Sequence, residues 1–182
     1  MWDRLVGNWV YGGFLASFVL LGMLPLVAPH WPLHLVLVYL MTPAYMWHQY
    51  EEHDGDRFRR YFNGMLADGR EVLTRRAVFV INVPLVWGVN LGALLLAGLV
   101  HPGFGLVAVY LVVVNAIVHV VPAVRLRTYN PGLVTAVALF LPLGGLALFV
   151  FADVEAGYHM LAFAIVVALH AGIVVHALRR RR

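Results

Sequence analysis

Long apolar runs separated by short polar breaks dominate the chain. Runs of about 20 residues, enough to cross a bilayer, fall near 9–28, 33–50, 77–99, 103–124, 131–151 and 158–178. The pattern predicts an all-α integral membrane protein: a bundle of six transmembrane helices forming one polytopic domain over residues 1–182. The breaks at PHW, HPG and ADVEAG are short, whereas 51–76 is a longer polar segment. Within it Phe58, Tyr61, Phe62, Met65 and Leu66 recur at helical spacing, with Arg57, Arg59 and Arg60 off that stripe. That is the periodicity of a short amphipathic helix lying in the headgroup interface, expected at roughly 56–66.

Composition agrees with the pattern and removes several chemistries. Of the 182 residues 62% are hydrophobic, and the mean hydropathy is +0.83, beyond an ordinary soluble domain. No cysteine is present, so disulfides, thiolate metal ligands and a cysteine nucleophile drop out. The start, MWDRLVGNWVYGG, lacks the pattern of a cleaved signal, and the first run is expected to be a retained helix. Trp9, Trp31 and Trp47 fall at span ends, as interface aromatics do.

Charge adds orientation. The 13 basic residues are all arginine. Arg4, the run from Arg57 to Arg76, Arg125 with Arg127, and the RRRR tail fall on one side of a six-span threading. The positive-inside rule then puts both termini and the 51–76 segment in the cytoplasm, in the manner of a multi-pass protein of a bacterial cytoplasmic membrane. The tail reads as a contact for anionic lipid. No basic stripe with interleaved aromatics marks a nucleic-acid partner.

Candidate chemistry sits in the cytoplasmic half of the spans. His48 ends the second span, Asn82 lies early in the third, Asn115 and His119 late in the fourth, and Asn130 and Thr135 open the fifth. His170 lies past the middle of the sixth. At 1.5 Å of rise per residue, Asn82 and His119 are each roughly 8 Å inside the boundary, with His170 a few ångströms deeper. Polar groups in hydrocarbon are costly and face the bundle interior, so several helices placing one at the same depth predict a single buried site. His48, Glu51 and Glu52 stand at i, i+3 and i+4, the spacing of one helix face. A histidine and a glutamate on one helix facing a histidine on another is an arrangement of bundle metal sites, and the mixed N and O donors suit zinc or iron.

The stretches HQYEE, NVPLVW, NAIVH and RTYNPGLVT resemble the HXXEE-domain family of bacterial membrane proteins, over about residues 30 to 150. The resemblance implies a small helical membrane protein in which His48, Glu51 and Glu52 act as a unit, and it supplies no reaction. After the motif the chain reads HDGDRFRRYFN, where that family pattern leads us to expect a more apolar stretch.

These residues predict a membrane-embedded, metal-dependent enzyme acting on a lipophilic substrate at the cytoplasmic side. His48, Glu52, His119 and His170 are the expected ligands of a divalent metal. Glu51 or Glu52 is the expected base, with Asn82 and Asn115 orienting groups or stabilising charge. Trp87 is expected to line the cavity. Arg125, Tyr129, Asn130 and Thr135 are expected to hold the polar end of the substrate, with Asn130 also capping the fifth helix ahead of Pro131. Membrane lipids are the surrounding partners. Two other readings fit the same residues: a metal-free acid-base isomerase or cyclase of isoprenoid-like lipids, and a small proton-coupled transporter. The outer halves of the spans are almost wholly apolar, which counts against transport. His53 reads as a solvated loop residue.

Overall fold

Seven helices account for most of the chain in a computed structural model that describes residues 1–67 and 69–180, with Leu66 and Ala67 described in backbone only. They are α1 (Trp2–Val27), α2 (Leu33–His53), α3 (Arg57–Ala67), α4 (Arg75–Leu99), α5 (Pro102–Leu126), α6 (Leu133–Val150) and α7 (Ala156–Arg179). No strand occurs among the described residues. The Leu66 side chain and the last two arginines of the tail, Arg181 and Arg182, lie outside the description.

Five helices, α1, α4, α5, α6 and α7, are long and apolar enough to cross a membrane, against the six expected. The exception is α2. Its 21 residues rise about 31 Å at 1.5 Å each, long enough to span, but its last two turns carry His48, Gln49, Glu51, Glu52 and His53. The first helix starts at Trp2 rather than near residue 9.

The polar end of α2 is accommodated by packing. This helix is the centre of the bundle, touching α1, α4, α5 and α6. Val38, Met41, Tyr45, His48 and Glu52 are all buried. Their separations of 3, 4, 3 and 4 form one continuous stripe on a 3.6-residue helix. The first three belong to the main apolar core with Leu106, Val109 and Phe140; the last two turn the same stripe polar without leaving the interior.

Local signals set the helix ends and two irregular turns. Thr74 caps α4 by accepting from the Ala77 N–H at 3.1 Å. Asn130, Pro131 and Gly132 form a turn rather than the start of α6, because Gly132 has φ +99°, outside the helical region. The helix therefore begins at Leu133, two residues later than expected. Within α4 a π-helical stretch, Ile81–Trp87, surrounds Pro84, which has no N–H to give to the preceding turn. A second, Ala136–Phe140, follows Thr135 in α6. Such stretches frequently mark functional sites.

Within the polar segment a helix, α3, covers Arg57–Ala67. Phe62 is buried with Val72, Leu73, Val78 and Ala177, and Phe58 packs on that cluster. Met65 is exposed. Part of the apolar stripe thus serves the bundle itself.

Candidate metal centre

His48 and Glu52 reach the interior one turn apart on α2 and meet His119 from α5. Glu52 Oε1 is 3.1 Å from His119 Nε2, and Glu52 Oε2 is 3.4 Å from His48 Nε2. The three residues are 0%, 5% and 3% exposed for His48, Glu52 and His119. One donor atom from each lies within 4.8 Å of the others, the only such group of three among the described residues. The two imidazole rings stand edge to face, 4.9 Å between centroids, and Phe140 covers His48 at 4.3 Å.

Hydrogen bonds on the far side of each ring fix which nitrogen carries the proton. Thr135 Oγ1 donates to Glu51 Oε2. Its oxygen, 2.8 Å from His48 Nδ1, is then left to accept, so Nδ1 carries the hydrogen. The Asn130 side-chain amide donates to the His119 carbonyl at 2.9 Å. Its Oδ1, 2.7 Å from His119 Nδ1, is likewise an acceptor. Both tautomers follow from the network, and in both the Nε2 lone pair points at the Glu52 carboxylate. Three acceptors thus converge in a buried space, and His48 Nε2 has no hydrogen-bond partner. Mutual repulsion of lone pairs makes this costly unless a proton or a metal ion sits among them.

The floor of the cluster is backbone. A Cβ on Gly132 would lie 2.8 Å from each of Glu52 Cγ, His119 Cε1 and His48 Cε1, so only glycine lets the α5–α6 turn close against the three side chains. Sequence reasoning overlooked Gly132 as a site residue; the YNPG turn beside two candidate residues was the available signal.

Glu51 has a different task from Glu52. Its Oε1 accepts from the Val134 N–H at 3.0 Å and the Tyr129 hydroxyl at 2.9 Å, and its Oε2 accepts from the Thr135 N–H at 2.7 Å and from the Thr135 hydroxyl. It ties α2 to the N-terminus of α6, where backbone donors lack partners within the helix. With four donors on it, Glu51 is a clamp rather than the free base that its spacing indicated. Tyr129, Asn130 and Thr135, expected against substrate, instead hold Glu51, His119 and His48.

Other expected site residues fall around the cluster. A mostly apolar cavity of about 150 Å³ adjoins it, lined among others by Glu52, His53, Asn82, Asn115, His119 and His170. His170 faces this cavity with Nδ1 on the Val166 carbonyl at 2.9 Å and is not in the group of three. Asn115 Oδ1 is buried without a partner, so it offers an acceptor there. Asn82 is already engaged, taking Gln49 Nε2 at 3.0 Å and giving to the Val78 carbonyl at 2.8 Å. Trp87 donates to Gln49 Oε1 at 2.7 Å and packs on Trp9 and Gly13, which removes it from the cavity wall. Arg125 is exposed at the end of α5. His53, expected in solvent, is buried with Nε2 3.4 Å from Glu52 Oε2, because α2 continues through it and Trp9 and Phe58 pack on its ring.

A bundle of apolar helices closed around two histidines and a carboxylate defines a helical membrane protein with a candidate metal centre. Its motif, His48-x-x-Glu51-Glu52, is that of a recognised group. The chain belongs to the family described as "protein of unknown function with HXXEE motif", whose model matches residues 39–147. No curated protein and no solved structure matches the chain.

Proposed function

We propose that this protein is a metal-dependent enzyme of the bacterial cytoplasmic membrane, acting on a lipophilic substrate near the cytoplasmic face. His48, Glu52 and His119 are the ligands. The observation that carries the reading is the convergence of two Nε2 lone pairs and a carboxylate, with each histidine's proton held on the opposite nitrogen. Donor spacings of 3.1 and 3.4 Å suit ligands each about 2.0–2.2 Å from one ion, and three protein ligands leave coordination positions open for reaction. Zinc or iron would supply Lewis acidity or an activated water there.

The chain's own groups supply the rest. Thr135 and Asn130 hold the imidazoles in register, as partners behind metal ligands do. The apolar wall of the cavity takes the hydrocarbon part of the substrate, and Asn115 and His170 face its polar part. A crevice of about 240 Å³, with Asp56 and Arg75 on its walls, also borders His53. His53 lines both spaces, so its buried ring is part of the wall between them.

In the membrane, α2 serves as a sixth span with its polar end inside the bundle, α3 rests at the interface, and both termini are cytoplasmic. Arginine segregation supports this orientation. A reporter fused after Arg182 should be active only inside the cell; activity outside overturns the orientation. Elemental analysis of protein purified without chelators should find about one zinc or iron per chain, lost in His119→Ala. Wild-type protein free of metal, unable to take up added zinc or iron, would leave the metal-free acid-base reading instead.

A further inference from the structure

A second space lies beside the cavity. Between α4 and α7 runs an open groove of about 710 Å³, with Ala168 and Gly172 on its α7 side. Ile81, Leu85, Leu169 and Ile173 line both the groove and the cavity, so one layer of apolar side chains separates lipid from the site. At its cytoplasmic end the groove is bounded by Arg76, His176 and Arg180. Arg76 has only a loose partner, Asp3 at 3.6 Å, and both are exposed. The long apolar floor matches hydrocarbon chain, and the basic rim matches an anion held at headgroup depth.

We propose that this groove is the lateral entrance for the substrate, and that the substrate is a membrane lipid with a phosphate-bearing, anionic headgroup. The proposal rests on the enzymatic reading above and adds the substrate's class and route. Arg76 and Arg180 hold the phosphate, and the chains lie along Ile81 and Leu85. Arg76 on the rim and Val78 on the cavity wall are two residues apart, about 3 Å of rise. A bond presented to Glu52 and His119 therefore lies close in depth to the headgroup, at the junction of phosphate and chain. A zwitterionic lipid fills the same floor but gains less from the rim.

The test uses the full-length protein in vesicles of dioleoylphosphatidylcholine containing a trace of a phosphatidic acid with a photoreactive diazirine in one acyl chain. Labelled peptides are mapped by mass spectrometry. Labelling should concentrate at residues 80–85 and 168–173 and exceed that by the matching phosphatidylcholine probe about tenfold. Arg76→Gln with Arg180→Gln should remove that preference. Gly172→Phe, whose side chain enters open space, should block labelling at both segments. Equal labelling by the two probes, labelling spread over every lipid-facing helix, or a preference that survives the arginine changes would overturn the proposal. Millimolar glycerol 3-phosphate should not compete; competition would mean a soluble phosphate site and would overturn the lipid assignment. Metal content separates this proposal from the reading beneath it: the arginine and Gly172 variants keep their metal, whereas Glu52→Gln loses metal and keeps the labelling pattern.

Discussion

Glu52 and Asp56 lie four residues apart, and each carboxylate stands at the centre of a cluster, but the clusters are completed differently. Asp56 is surrounded by guanidinium groups: Arg59 Nε donates to its two oxygens at 2.9 and 2.8 Å, and Arg75 Nε approaches at 3.3 Å. Those cations are permanent, so the cluster is complete as folded, and it is partly open to water. Glu52 is surrounded by imidazoles whose inward nitrogens are acceptors, in a place closed to water. The first cluster is a fastening at the protein surface. The second is a group that could hold a metal ion. The candidate site is marked here by the convergence of lone pairs in a buried place rather than by the density of charge.

Four changes probe this contrast. Glu52→Gln keeps the shape and removes the charge, and metal affinity should fall by more than about 100-fold, beyond the range for residues behind the ligands. The fold, read by circular dichroism, should be retained. Metal bound at wild-type level in that variant would break the comparison. Gly132→Ala should cost about 3 kcal/mol in a denaturant titration of the detergent-solubilised protein, because a Cβ meets three side chains and φ is unfavourable for alanine. Thr135→Val removes the acceptor behind His48 and should lower metal affinity about 10- to 100-fold, with a smaller change in stability; an unaltered affinity would mean that the ring needs no such support.

The smallest effect belongs to the surface cluster. Asp56→Asn should cost no more than about 1 kcal/mol and leave metal content alone. Burial raises the Asp56 carboxyl, but the Arg59 hydrogen bond and charge, with Arg75, outweigh it and leave the group below its ordinary value. A group with a lowered folded value stabilises above its unfolded value and loses that contribution as pH falls. Wild-type stability should therefore decline as pH drops below about 4, and the Asp56→Asn variant should decline less. An identical slope in both would exclude Asp56 from the acid response.

The helices were legible because bilayer-length apolar runs leave few alternatives. The pairing of His48 with Glu52 was legible as spacing, and His119 as a polar residue at matching depth. The different tasks of Glu51 and Glu52 were hidden. Neighbours on a helix differ by about 100° in direction, and only the docking of α6 decides which of the two meets backbone donors. His53 was misassigned because the helix was expected to end before it. Thr135 acts through His48 and Glu51, 87 and 84 positions away along the chain, and Gly132 through the fit of three side chains from two other helices, which local pattern cannot show.

The clamp formed by Glu51 also bears on how the protein is made. Glu51 and Thr135 are 84 residues apart, and the residues behind both histidines lie in 130–135. A nascent chain that has inserted only α1 to α4 already displays the whole His48-x-x-Glu51-Glu52 motif, yet it has neither His119 nor the α5–α6 turn. Glu52 then lacks its partner from α5, and Glu51 has none of its four donors until Tyr129, Val134 and Thr135 arrive. On the proposed metal reading, capture is thus a late event: a chain stopped before His119 carries the motif without the third ligand, and one stopped before Leu133 has all three but lacks the Thr135 contacts to His48 and Glu51.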